Sequence, residues 1–224
     1  MKTTLRAVGS GVVGLGVFCV LLFAPACTFA YWQGWIFLAV FTVSTWVPTI
    51  YLMRTNPAAL QRRLRAGPRA ETRPVQKAVM AVSFASLAST MAFSALDHRF
   101  GWSAVPAPVS LIGDALVGIG IAGAMLVIVQ NSYAAATVTV EAGQSLACTG
   151  LYGVVRHPMY AADIVMMVGI PLALDSYWGL LLVIPGVVAL VIRILDEEKL
   201  LTAELPGYRE YAQRVRYRLL PHVW

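Results

Sequence analysis

The chain has 224 residues, of which 58% are hydrophobic and only 12% charged, with a formal charge of +6. Soluble domains carry about 25% charged residues, so this balance excludes an ordinary soluble globular protein. The length suits one domain or a bundle of helices of roughly 20 residues, the number needed to cross a bilayer. The three cysteines, Cys19, Cys27 and Cys148, have neither metal-ligand nor CxxC spacing, so no metal site or disulfide framework is expected.

Lys2 and Arg6 precede an apolar run over residues 8–29. It exceeds the roughly 7–15 residues of a signal peptide's apolar region, and a second apolar segment follows almost at once. It therefore reads as a retained first span, over residues 9–29. The aromatic corner Tyr31–Trp35 suits the membrane interface, where ring bodies are apolar and their N–H or O–H tips are wet. A second span is expected over 35–53, with a kink at Pro48.

Residues 54–77 hold seven basic side chains against one acid, Glu71. Such a loop acts as a topology determinant against anionic headgroups, or contributes one or two arginines to substrate binding. It lacks the interleaved aromatics of a nucleic-acid site. Third and fourth spans are expected over 78–96 and 109–129. Asp114 lies close enough to a span end to reach the interface. Residues 130–160 are too polar to span. Two short apolar segments, 161–174 and 180–195, then read as a helical hairpin, and residues 197–211 as an amphipathic surface helix.

The fold class expected is thus all-α: a polytopic integral membrane bundle of five to six passes, including the hairpin, forming one domain over 1–224. Residues 1–130 supply the N-terminal helices and 131–224 a functional core. With six passes, every basic residue except Arg99 falls on the side of both termini, which the positive-inside rule makes cytoplasmic. The basic charge then needs no polyanionic partner.

Gly9-Ser-Gly-Val-Val-Gly14 and Gly118-Ile-Gly-Ile-Ala-Gly123 match the dinucleotide fingerprint, but neither follows a strand. Both lie inside spans, where small residues let helices approach closely. His98 and His222 read as incidental. His157 precedes Pro158, which disfavours helix before it and favours a helix start at itself. Arg156, His157 and free backbone N–H groups then stand at a helix N-terminus, either as a plain cap or as a seat for an anionic ligand group. Asp163, three residues after Tyr160, shares its helix face in a supporting or capping role. Glu197 and Glu198 follow Arg193, with Arg193 and Glu197 one turn apart. They read as a solvated helix end or as carboxylates facing ribose hydroxyls, an amine or a sulfonium.

Taken together, Gly150-x-Tyr152 with Val155-Arg156-His157-Pro158-x-Tyr160, then Arg193-x-x-x-Glu197-Glu198-x-x-Leu201, Gly207-Tyr208-x-x-Tyr211 and Leu220-Pro221 resemble the isoprenylcysteine carboxyl methyltransferase family and related membrane lipid methyltransferases. That resemblance implies a helical membrane enzyme using S-adenosylmethionine and no metal, with its cofactor pocket at the cytoplasmic face. Carried over by position, the cofactor contacts are Gln144, Ser145, Leu146, Ala147, Tyr152, His157, Pro158, Met159, Tyr160 and Glu197, with Thr137 a candidate upstream. The catalytic set is Arg193, Arg156 and Glu198, with Arg193 on the lipid side. The family's His-Thr pair is Gln144-Ser145 here, and its acidic run is shortened to Asp196-Glu197-Glu198. The implied partners are membrane lipids and a lipophilic methyl acceptor, an isoprenylcysteine-type carboxylate or a related lipid, and no nucleic acid. The alternatives are an NADPH-dependent reductase of the sterol-reductase type, whose Arg-His-x-Asn-Tyr stretch here lacks the Asn, and a non-catalytic scaffold or transporter.

Overall fold

The computed structural model describes residues 2–134, 136–141 and 143–224. Among these there are eight α-helices and no strand: α1 (Lys2–Ala26), α2 (Trp32–Thr55), α3 (Pro57–Leu64), α4 (Pro74–Phe100), α5 (Ala107–Gln130), α6 (Pro158–Ala173), α7 (Gly179–Glu204) and α8 (Tyr208–Arg214). Five of them (α1, α2, α4, α5 and α7) are long and apolar enough to cross a membrane. The sixth apolar helix, α6, has 16 residues, about 24 Å at 1.5 Å per residue, short of the roughly 30 Å hydrocarbon core.

Prolines set several starts. Pro57, Pro74 and Pro158 each open a helix, where the missing N–H costs nothing. Asn56 caps α3, its Oδ1 accepting from the Ala59 N–H at 3.0 Å. Inside the helices Pro48 and Pro185 are tolerated, and α2 and α7 run on for several residues beyond them. The expected surface helix over 197–211 is two elements instead. Its first half continues α7 to Glu204, and the chain then breaks at Leu205-Pro206-Gly207, with Gly207 at φ +81°. Proline cannot extend the ladder and glycine accepts the left-handed turn, so α8 folds back on the bundle, burying Tyr208 and Tyr211.

The closest helix pair is α5 with α6. A Cβ added at Gly113 would lie 2.3 Å from the Ala173 N, and one at Gly120 would lie 2.7 Å from the Ala162 O. The second glycine run therefore lets helices approach as expected. Gly113→Ala should lower stability by about 1–3 kcal/mol through overpacking. Gly118→Ala, where the nearest neighbour is a side-chain atom at 3.7 Å, should leave the unfolding midpoint of the purified protein unchanged. In the first run a Cβ at Gly11 would lie 2.7 Å from the Trp46 ring of α2, whereas one at Gly9 or Gly14 meets nothing within 4 Å, so only Gly11 serves close packing there.

The loops opposite the α1 N-terminus are knotted together. The Tyr31 hydroxyl donates to the Leu174 carbonyl at 2.6 Å, and the Tyr31 ring stacks on His98 at 4.0 Å. His98 Nδ1 meets Asp175 at 2.9 Å, and buried Asp97 accepts from the Ser103 amide and the Ser176 hydroxyl. His98 is thus a structural contact rather than an incidental loop residue, because α4 extends four residues past its expected end and carries it into the core. Asp114 also departs from expectation. It is buried two turns inside α5, with no hydrogen-bond partner for either oxygen among the described residues.

Candidate active site

Helix α7 carries three acids in a row at the end of the bundle near α3. Successive residues of a helix turn by about 100°, so the three carboxylates face three different neighbours. Asp196 accepts from Arg73 at 2.9 Å and from Gln76 at 2.7 Å. Glu197 accepts from the Tyr160 hydroxyl at 2.6 Å. Glu198 accepts from Arg156 at 2.7 Å and Arg218 at 2.9 Å, and lies 3.1 Å from His157 Nε2.

His157 is the residue before α6, and Pro158 opens that helix as the sequence predicts. The backbone N–H groups of Arg156 and His157 do not point freely at a ligand, however. They donate to the Tyr217 and Arg218 carbonyls, both at 2.9 Å. Arg156 also donates to the carbonyls of Ala212, Val215 and Arg216. Arg156 and Glu198 thereby fasten the C-terminal tail to the start of α6. The Glu198 side chain lines neither cavity described below.

A cavity of about 100 Å³ lies between the 131–152 segment, the start of α6, α7 and α8. Gln144, Ser145, Leu146, Ala147, Tyr152, His157, Pro158, Met159, Tyr160 and Glu197 all line it, as do Thr137 and Arg156. Sequence reasoning did not select Asn131, Tyr208 and Tyr211, which also belong to the wall. The tyrosine spacing from Gly207 was visible, but not that a chain break would fold α8 over the site. Burial pushes the phenols of Tyr152, Tyr208 and Tyr211 above their usual pKa, so they remain neutral. Tyr211 donates to the Tyr152 carbonyl at 2.7 Å. The Tyr208 hydroxyl is buried with no partner among the described residues, although burying a polar group unpaired is costly.

A second cavity, of about 320 Å³, opens between α4, α6 and α7. Its wall is apolar, with Phe84, Leu87, Met166 and Ile170, interrupted by Arg63, Asp163 and Arg193. Asp163 makes no hydrogen bond among the described residues, and Arg63 reaches only the Met159 sulfur at 3.2 Å. Arg193 is 4% exposed. It donates to Glu71 at 2.9 Å, Gln76 at 2.8 Å, the Ala136 carbonyl at 2.6 Å and the Tyr160 hydroxyl at 3.0 Å. Arg193 and Glu197, one turn apart, do not pair directly. Tyr160 stands between them, accepting from one and donating to the other. Glu71 and Gln76 were not anticipated; the single acid in a basic loop was the only signal that could have exposed Glu71.

Residues 109–208 match the family model described as phospholipid methyltransferase, a membrane methyltransferase family consistent with the motif resemblance. A stretch of 91 residues is also 32% identical to the Delta(14)-sterol reductase TM7SF2 of Mus musculus, covering 39% of this chain and 22% of that protein. The chain therefore spans about a fifth of the length of that curated relative.

Proposed function

From the phospholipid methyltransferase match as premise, we propose that the chain is a multi-pass membrane methyltransferase using S-adenosylmethionine. Its termini and polar cavity lie on the cytoplasmic side, and its acceptor comes from the bilayer. One observation supports this above the rest: the polar cavity and the apolar cavity share the Met159–Tyr160 wall. A water-soluble donor and a lipophilic acceptor can then be brought together beside the Met159 and Tyr160 side chains.

The residues of the first cavity fit the cofactor chemically. Glu197 offers a carboxylate to ribose hydroxyls, the orphaned Tyr208 hydroxyl awaits a polar partner, and the Gln144–Ala147 backbone and His157 complete the wall. S-adenosylmethionine supplies an already activated methyl group. The protein's tasks are therefore alignment and exclusion of water. Tyr160, held from both sides by Arg193 and Glu197, keeps the shared wall in one place. Arg193 has committed four of its five N–H donors, so it positions Tyr160 rather than gripping the acceptor.

In the second cavity, Arg63 and Asp163 remain for the acceptor's polar head. An isoprenylcysteine-type carboxylate is ionised at neutral pH and needs only Arg63 to orient it. An amine must lose a proton, which Asp163 can accept. With labelled methyl donor and membrane extract, Arg63→Gln should abolish transfer to a carboxylate, and Asp163→Asn transfer to an amine.

Calorimetric titration of the purified chain tests the donor. S-adenosylmethionine should bind, and Glu197→Ala should bind it roughly tenfold or more weakly, through loss of hydrogen bonds to a charged group. The sterol-reductase relative makes NADPH the necessary second titrant; binding of NADPH alone would overturn the methyltransferase reading.

A further inference from the structure

We propose that the crevice between α1 and α2 is a binding site for an anionic phospholipid, separate from both cavities of the candidate active site. A space of about 310 Å³ runs along α1 from Ala7 to Phe18, facing Thr45 and Trp46 of α2. It meets a second space of about 320 Å³, walled by Arg6, Ser10, Gln61 and Arg65. Ser10 and Leu64 line both, so the apolar space and the polar one adjoin.

Its chemistry selects the occupant. Gly14 leaves the crevice open, with no atom within 4 Å of where a Cβ would stand. The Thr45 and Thr49 hydroxyls turn back to the Phe41 and Thr45 carbonyls, at 2.8 and 2.7 Å. Their donors are thus engaged along α2 and are not free in the crevice, which suits hydrocarbon. At the mouth, Arg6 and Arg65 make no ion pair among the described residues. Two unpaired cations above an apolar channel complement a phosphate bearing an acyl chain. Length agrees as well: Arg6 to Phe18 spans about 18 Å at 1.5 Å per residue, close to half of the roughly 30 Å hydrocarbon core. A free phosphate would fill the mouth and leave the crevice empty, so the site is assigned to lipid.

Trp46 lines the crevice and reports its contents. Lipids with brominated acyl chains quench nearby tryptophans, and the difference in emission between the wild-type chain and Trp46→Phe isolates Trp46. In detergent-purified full chain, brominated phosphatidylglycerol should quench Trp46 at lower mole fraction than brominated phosphatidylcholine. Arg6→Gln and Arg65→Gln should each reduce that preference about fivefold, since a surface cation contributes about 1 kcal/mol toward anionic lipid. Gly14→Leu, introduced into open space, should remove quenching by both lipids while leaving the unfolding midpoint in place. Equal quenching by the two lipids, or quenching that survives Gly14→Leu, would overturn the proposal. So would displacement of the lipid by inorganic phosphate alone, which would mark a simple anion site. Neither S-adenosylmethionine binding nor methyl transfer enters the readout, so this test stands or falls apart from the proposed activity.

Discussion

Glu198→Ala is expected to destabilise the protein by about 3–5 kcal/mol, the range for breaking a buried ion pair from one side. The loss is large because one carboxylate serves three partners. Without it the Arg156 side chain, 7% exposed, keeps its backbone acceptors but no counter-charge. His157 and Arg218 lose their anchor too. The tail should then separate from the start of α6 and expose the bonds after Arg214, Arg216 and Arg218 to trypsin. Thermal unfolding in detergent and the clipping pattern report the two effects separately. Glu198→Gln, which keeps the shape and loses the charge, should fall between the wild type and Glu198→Ala. A chain that unfolds at the wild-type temperature and resists clipping would show that the tail is held by something else.

Arg193→Ala should have a comparable cost, again about 3–5 kcal/mol, for the reciprocal reason. It strands the Glu71 carboxylate, whose side chain is fully buried, and leaves the Ala136 carbonyl and Gln76 without their donor. Buried pairs are often replaceable by apolar or neutral groups of similar size, so Arg193→Met with Glu71→Gln should recover most of the stability. Activity should not return with it. Tyr160 would still lack the donor that holds its hydroxyl against Glu197, and the wall between the cavities would be loose. Unfolding and methyl transfer measured on the single and double variants distinguish the two roles. Recovery of both together would reduce Arg193 to a packing residue.

Much of the architecture follows from hydropathy alone, because a bilayer accepts little besides apolar helices. The five long helices fall close to their expected positions, except that α1 begins seven residues early, at Lys2, and α7 runs on to Glu204. What hydropathy cannot convey is the direction in which a polar side chain faces. Asp196, Glu197 and Glu198 read as one acidic cluster, yet their rotation about α7 assigns them to Arg73, Tyr160 and Arg156. The i, i+4 spacing of Arg193 and Glu197 correctly suggested one face and missed the tyrosine interposed from α6. Glu71 and Gln76 lay in a segment whose basic charge pointed to topology, and only tertiary packing brings them to Arg193. The two glycine runs are indistinguishable as strings. Gly120 is crowded by α6 and Gly11 by Trp46 of α2, whereas Gly9, Gly14 and Gly118 have room, a difference set by what lies opposite each residue.

The tail from Tyr208 onward has a kinetic consequence. Its tyrosines form part of the cavity wall, and Arg156 and Glu198 secure it from behind. The cavity, at about 100 Å³, is narrower than the roughly 300 Å³ at which drug-sized ligand pockets begin. Withdrawal of α8 widens it. Local opening of such an element has its own free energy, distinct from that of global unfolding. The strength of the Glu198 network therefore governs exchange as well as stability: tightening it lengthens the residence of whatever is bound and slows the arrival of the next.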